Sequence, residues 1–262
     1  MGPAATYCAA AAWRHTGPGT RPEDSTIVPQ TATTLPPSPA DARAAWRADL
    51  WQRFRSAWFL KMTATTLGIS GFFVAYFWVL HHPPSPPTVM PLTALDHLIV
   101  YQPAALPVYL SLWVYVSLAP ALLKDARELA SYGLATTALS VVGLGTFLAW
   151  PTAVPAFDID WTQHPSIQFL KTVDVASNAC PSLHVAFAVF TSVWLERVLR
   201  EMGTGVPLRV FNVLWCAGIL YSTLATRQHV VLDVLAGVLL GGVAVALHLA
   251  ALRPRGRVAA RP

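Results

Sequence analysis

The sequence predicts an all-α, polytopic membrane protein built as a bundle of six transmembrane helices. Three observations lead there: charge is scarce, six apolar runs are long enough to span a bilayer, and the cations fall almost entirely on one side of those runs. Of 262 residues, 54% are hydrophobic and only 12% are charged, against roughly 25% charged in a soluble domain. The mean hydropathy is +0.47. Such a chain cannot cover an aqueous surface with polar side chains, so the missing charge points to lipid.

The six apolar runs cover 57–80, 103–123, 129–150, 181–198, 209–227 and 230–251. At about 1.5 Å per helical residue, each crosses or nearly crosses a hydrocarbon core of about 30 Å. The fourth is the shortest, because Glu196 and Arg197 interrupt it. Its outer end holds polar residues of interest, which is a reason to keep it as a span.

Orientation follows from the Lys and Arg positions. With six spans drawn, all of the 18 basic residues except Lys171 and Arg227 fall on one side. That side is therefore cytoplasmic, both termini lie there, and the inner membrane is the expected location. The net charge of +5 reflects this topology and implies no nucleic-acid partner. Lys171 and Arg227 stay on the outer side against the rule, where binding an anion would give them a use.

Three parts follow along the chain. Residues 1–45, rich in Ala, Thr, Pro and Gly, read as a disordered tail. Residues 46–252 form the membrane domain, and 253–262 a basic cytoplasmic tail. The apolar stretch 7–13 is too short for the core of a secretory signal, so no cleavage is expected. Cys8, Cys180 and Cys216 are scattered without metal-type spacing, and no disulfide or zinc site follows from them. Outside the membrane, His81–Pro91 is Pro-rich and extended. The long loop 151–180 carries Trp161, Asp158, Asp160 and Asp174 and is long enough to fold over a site.

Two motifs carry chemistry. The first, Asn178-Ala179-Cys180-Pro181-Ser182-Leu183-His184, opens the fourth span. Pro suits a first helical turn, and Ser182 sits at the helix start. Backbone N–H groups and the positive end of the dipole make such a start an anion site. The second runs from Ser222 to Asp233, between spans five and six. His229 and Asp233 are four residues apart, so a helix beginning near His229 places both on one face. The carboxylate then accepts the imidazole Nδ1–H, leaving Nε2 as a nucleophile. A carboxylate in an otherwise apolar run marks a functional site by default. Spans four and five run down and back, so both histidines return to the outer boundary.

Pro181-Ser182-Leu183-His184, with Ser222 followed by His229 seven and Asp233 eleven residues later, resembles the type 2 phosphatidic acid phosphatase superfamily. It is most similar to the branch with inositol-phosphoryl transferase-like and sphingolipid-synthase-like proteins. The resemblance runs over roughly 100–250. It implies a six-helix core and a membrane-embedded phosphatase or phosphotransferase acting on a lipid phosphate or lipid-linked phosphoester. It also implies a phospho-histidine mechanism without metal or other cofactor, at the periplasmic face. Carried over by residue, His229 is the nucleophile, Asp233 its orienting partner, and His184 the acid that becomes a base. Ser182 and the Leu183 N–H hold phosphate oxygens, and Ser222 belongs to the same binding motif.

This sequence departs from that pattern in three places. Thr223 replaces the arginine after Ser222, Leu183 replaces a glycine, and no Lys-x6-Arg-Pro signature is present. Arg227 is the expected stand-in for the arginine, and Lys171 for the upstream cation. A catalytically inactive membrane binding protein or transporter subunit is the competing reading. Asp158-x-Asp160 as a metal pair ranks low, and His81, His82, His97, His164 and His248 read as polar residues without a catalytic role.

Overall fold

The computed structural model describes residues 39–173 and 178–253. The expected tail as far as residue 38, Asp174 and the basic tail 254–262 lie outside these. Helix α1 covers Pro39–Arg55 and α2 covers Trp58–His81. The two-residue strand β1 (Thr88–Val89) and α3 (Ala94–Leu98) follow. A 3-10 turn, Pro103–Ala105, then leads into α4 (Leu106–Leu110) and α5 (Leu112–Leu122). Next come α6 (Ala126–Ala149), β2 (Thr152–Ala153), a second 3-10 turn (Trp161–Gln163) and α7 (Pro165–Val173). Helices α8 (Leu183–Glu201), α9 (Val206–Ala225) and α10 (Val231–Leu252) complete the described bundle.

Every expected apolar run is helical, and five segments are long and apolar enough to cross a membrane: α2, Pro103–Leu122, α6, α9 and α10. Their outer faces carry Leu67, Val74, Leu134, Leu239 and Leu247, each at least 67% exposed. Apolar faces of this extent belong against lipid tails, and the protein is a multi-pass membrane protein. α8 does not meet the same test, since Glu196, Arg197, Arg200 and Glu201 occupy its last turns. It is instead the most enclosed long helix, with Val185, Ala186, Ala188, Phe190 and Trp194 fully buried.

Two expectations change. Residues 39–45 are helical, within a stretch expected to be disordered. Ala and Arg favour helix there, and Trp46 and Leu50 anchor α1 to the core. The second run is also not one helix. It breaks at Ser111, whose hydroxyl bonds back to the Val108 carbonyl at 2.6 Å and accepts the Trp215 indole N–H at 2.9 Å.

Charged residues gather at one end of the bundle. Glu201 meets Lys124 at 2.9 Å and Arg197 at 2.9 Å, and Glu196 meets Arg209 at 2.6 Å. Lys61 is buried there. Its ammonium donates to the Arg53 carbonyl at 2.5 Å and the Ala121 carbonyl at 3.1 Å, closing the C-terminal ends of α1 and α5. A cation at helix carbonyl ends satisfies groups that the helices leave unpaired. At the opposite end, β1 and β2 pair in parallel with Thr88 opposite Thr152, tying the loop after α2 to the loop after α6.

The tightest approach in the bundle is between α8 and α10. Gly237 and Gly241 lie one turn apart on α10. A Cβ at Gly237 would press on the Ser182 carbonyl oxygen, and one at Gly241 on the Ala186 carbonyl oxygen. Small residues at i and i+4 let helix backbones approach in this way. Gly241→Ala is expected to destabilise the fold by about 1–3 kcal/mol through overpacking. Gly242→Ala, where nothing lies within 4 Å of the new methyl, should be neutral. Thermal unfolding of both variants in one detergent checks this.

Candidate active site

The first motif is held from two sides. Thr152 of β2 accepts the Ala179 N–H on its carbonyl (3.2 Å) and the Cys180 N–H on its hydroxyl (2.8 Å). Ser182 is the N-cap of α8, with its Oγ accepting from Val185 N–H at 3.3 Å. The Ser182 N–H donates to the Asp233 carbonyl at 3.0 Å, which joins the first motif directly to the second. Leu183 packs its side chain into the notch that Gly143 leaves on α6.

His184 points from the first turn of α8 toward α4. Its ring stacks on Tyr109 with centroids 4.1 Å apart and planes 13° from parallel. Its Nε2 lies 3.1 Å from the Tyr109 carbonyl oxygen. A carbonyl only accepts, so Nε2 carries a proton and Nδ1 is the nitrogen left for proton exchange.

The second motif reaches the site by a short loop rather than on a helix. The Thr223 carbonyl accepts both the Gln228 N–H (3.0 Å) and the His229 N–H (3.2 Å), which turns the chain out of α9. α10 begins only at Val231, so His229 lies two residues before it and the shared helical face does not form. The pairing survives by another route. Asp233, fully buried, caps α10 by accepting the Val230 N–H at 2.9 Å, and the same Oδ2 stands 3.6 Å from His229 Nδ1. That separation is an electrostatic contact rather than a hydrogen bond.

His184 and His229 line one cavity of about 250 Å³, walled by Phe72, Phe73 and Phe77 of α2, by Tyr109 and Trp113, and by Asn178. A second cavity of about 310 Å³ lies between α2, α5 and α6. The two share Phe72, Leu112, Trp113 and Phe187 as walls, so they adjoin.

The two outer cations are engaged elsewhere. The Arg227 guanidinium donates to the carbonyls of Asp96 (3.1 Å) and Ile99 (2.7 Å) and lies 4.6 Å above the Phe157 ring. Lys171 donates to the Arg227 carbonyl at 3.3 Å and sits 4.6 Å over Trp161. Neither lines the histidine cavity. Ser222 is buried with its hydroxyl on the Ile219 carbonyl at 2.6 Å, and the Thr223 hydroxyl bonds the Leu220 carbonyl at 2.8 Å.

Sequence reasoning missed three contributors. Asp96 is buried, takes the Val231 N–H on Oδ1 at 2.8 Å and caps α3 through Thr93 at 2.7 Å. The signal was present: Thr93 followed three residues later by an acid is a helix-start pattern. The Tyr109 carbonyl and Asn178 had no such signal. Of the lesser candidates, Asp160 takes hydrogen bonds from Thr162 and Gln163, which hold its carboxyl below the usual range and cap the 3-10 turn. His248 accepts the Trp194 indole N–H at 3.3 Å and meets Ser131 at 2.9 Å. Burial, with the Asp233 charge, pushes the Cys180 thiol up to about 11, so it is no nucleophile near neutral pH. Among the described residues, no group of three or more His, Cys, Asp or Glu is placed to hold a metal ion.

Two histidines, one with a buried carboxylate behind it, thus face an apolar cavity of a multi-pass membrane bundle. Residues 128–257, from the first turn of α6 through α10, match the model of the PAP2 superfamily, and with the apolar helices this match points to a membrane phosphatase-type protein. No curated protein and no solved structure matches the chain.

Arg227→Gln is expected to act on stability. Losing two charged, part-buried hydrogen bonds to backbone carbonyls should cost about 1–3 kcal/mol, with little change in KM for a phosphate substrate once the protein is folded. Unfolding temperature and steady-state kinetics measured on one preparation separate the two effects.

Proposed function

We propose that the protein is a lipid-phosphate phosphatase or phosphotransferase that works through a phospho-histidine, without metal or cofactor. Residues 46–252, together with the first turns of α1, form its membrane domain. The observation that carries this reading is the single cavity lined by both His184 and His229, with Asp233 behind the second ring.

In the first step, His229 Nε2 attacks phosphorus while the bond to the leaving oxygen breaks. His184, protonated at Nδ1, gives that oxygen its proton. In the second step, His184 Nδ1 takes the proton from an acceptor O–H, the acceptor oxygen bonds phosphorus, and the P–N bond breaks. Asp233 stabilises the imidazolium character of His229 throughout. With water as acceptor the product is inorganic phosphate; with a head-group alcohol it is a new phosphoester. The N–H groups at the start of α8, chiefly that of Leu183, meet the equatorial oxygens. Ser182, whose Oγ accepts from Val185, keeps its own O–H to donate.

Lipid substrates suit the adjoining cavities. The inner one, between α2, α5 and α6, is lined by residues such as Ile69, Val116 and Leu129, and a hydrocarbon chain would bury apolar surface there while its phosphate met the histidines. We place α8 as a sixth span, with its charged end in the Arg-rich cluster on the cytoplasmic side. The termini then lie in the cytoplasm, and the cavity opens at the periplasmic face of the inner membrane.

Purified protein given a long-chain lipid monophosphate should release phosphate in EDTA, with inhibition by vanadate. His184→Asn should lower kcat by about 10²–10⁴-fold, the usual range for general acid–base catalysis. His229→Ala should abolish turnover. Equal phosphate release by wild type and His229→Ala would leave an inactive binding protein as the better description.

Gly133 lines the inner cavity and has nothing within 4 Å of a built Cβ. Gly133→Leu should therefore raise KM for a long-chain substrate by about tenfold, equivalent to about 1.4 kcal/mol, and leave a short-chain one nearly unchanged. Chain-length series on both proteins read this out.

A further inference from the structure

Ser222 is followed by Thr223, whose hydroxyl is bonded inside α9. The two nearby cations, Arg227 and Lys171, are bonded to backbone carbonyls. A phosphoryl group in the histidine cavity therefore lacks a charged side-chain donor from any of these positions. The structure holds a neutral donor instead.

Asn178 is 7% exposed and lines the same cavity as His184 and His229. Its Nδ2 is buried and has no hydrogen-bond acceptor among the described residues. An amide donor buried without an acceptor is uncommon in folded proteins and calls for a specific reason. It sits four residues before the Ser182 N-cap of α8, a long helix whose first N–H groups have no intrahelical acceptor. Two sets of unpaired donors thus meet at one wall of the cavity that the histidines face. The backbone directly after Asn178 is held in place, since Ala179 and Cys180 both bond Thr152.

We propose that Asn178 is a phosphate-binding residue: its side-chain amide donates to a phosphoryl oxygen of the bound substrate, beside the α8 N-terminus. This rests on the reading of the cavity as a phosphoryl-transfer site. The oxygen it holds gains negative charge as phosphorus becomes five-coordinate, so the bond strengthens in the transition state. The site would accept a phosphomonoester or a terminal phosphate, and vanadate as its mimic.

The test uses two variants of the whole protein. Asn178 has φ +61°, which glycine adopts without strain, so Asn178→Gly removes the amide and leaves the loop conformation accessible. Asn178→Asp keeps the shape and replaces the donor by a carboxylate. Asn178→Gly is expected to lower kcat/KM for a lipid monophosphate by about 10–10²-fold, within what one such donor contributes, and to raise the vanadate inhibition constant in parallel. Asn178→Asp should lose more at neutral pH, where like charges repel, and recover relative to wild type as pH falls, because the protonated carboxyl donates again. A merely structural role gives no such pH-dependent recovery. Wild-type kcat/KM and vanadate inhibition in Asn178→Gly, or a pH-independent deficit in Asn178→Asp, would overturn the assignment. Both outcomes count only beside a wild-type protein whose phosphate release depends on His229. Without that dependence it is the phosphoryl-transfer reading that fails.

Discussion

The close approach of α8 and α10 is the constraint on which the site depends. Gly237 and Gly241 remove the side chains that would hold the helices apart, and the Ser182 N–H then reaches the Asp233 carbonyl at 3.0 Å. That one hydrogen bond ties the residue before His184's helix to the residue behind His229. With bulkier side chains at the two glycines, the helices would still form, because their hydrophobic pattern is unchanged. The histidines would no longer share a cavity.

The electrostatics around the start of α10 follow from the same packing. Two buried carboxylates, Asp96 and Asp233, take the N–H groups of Val231 and Val230, where the helix dipole favours negative charge. The carboxylate of Asp233 then faces His229 with Oδ2, while Oδ1 has no hydrogen-bond partner among the described residues. Arg227 holds the Asp96 and Ile99 carbonyls and so fixes α3 against the turn between α9 and α10. Its charge serves the frame around His229, which explains how a cation beside the motif stands outside the cavity.

Labour is divided along the chain. The stretch that matches the superfamily, 128–257, contributes both histidines, Asp233 and Asn178. The cavity walls from α2, α4 and α5 come from before it, including Tyr109, whose carbonyl sets the tautomer of His184. Under the proposed function, chemistry and substrate fit come from different parts of the sequence, and a change in α2 or α5 would alter which hydrocarbon chain is accommodated without touching the histidines.

The apolar runs, the one-sided cations and the two histidine motifs were legible without coordinates, because each is a local signal: run length, charge placement, or fixed spacing of reactive groups. Even there, α1 escaped, since its helical stretch lacks the apolar pattern of a span. The roles of Arg227, Lys171 and Ser222 were not legible, because a side chain's spacing from a motif says nothing about which carbonyl it meets. Tertiary structure alone decided that His229 precedes α10, and that Asp233 reaches it while capping that helix. It alone brought the Tyr109 carbonyl to His184 across 75 residues and left the Asn178 amide without an acceptor among the described residues. These are contacts between distant segments, and their energies depend on burial and direction, which a sequence does not encode locally.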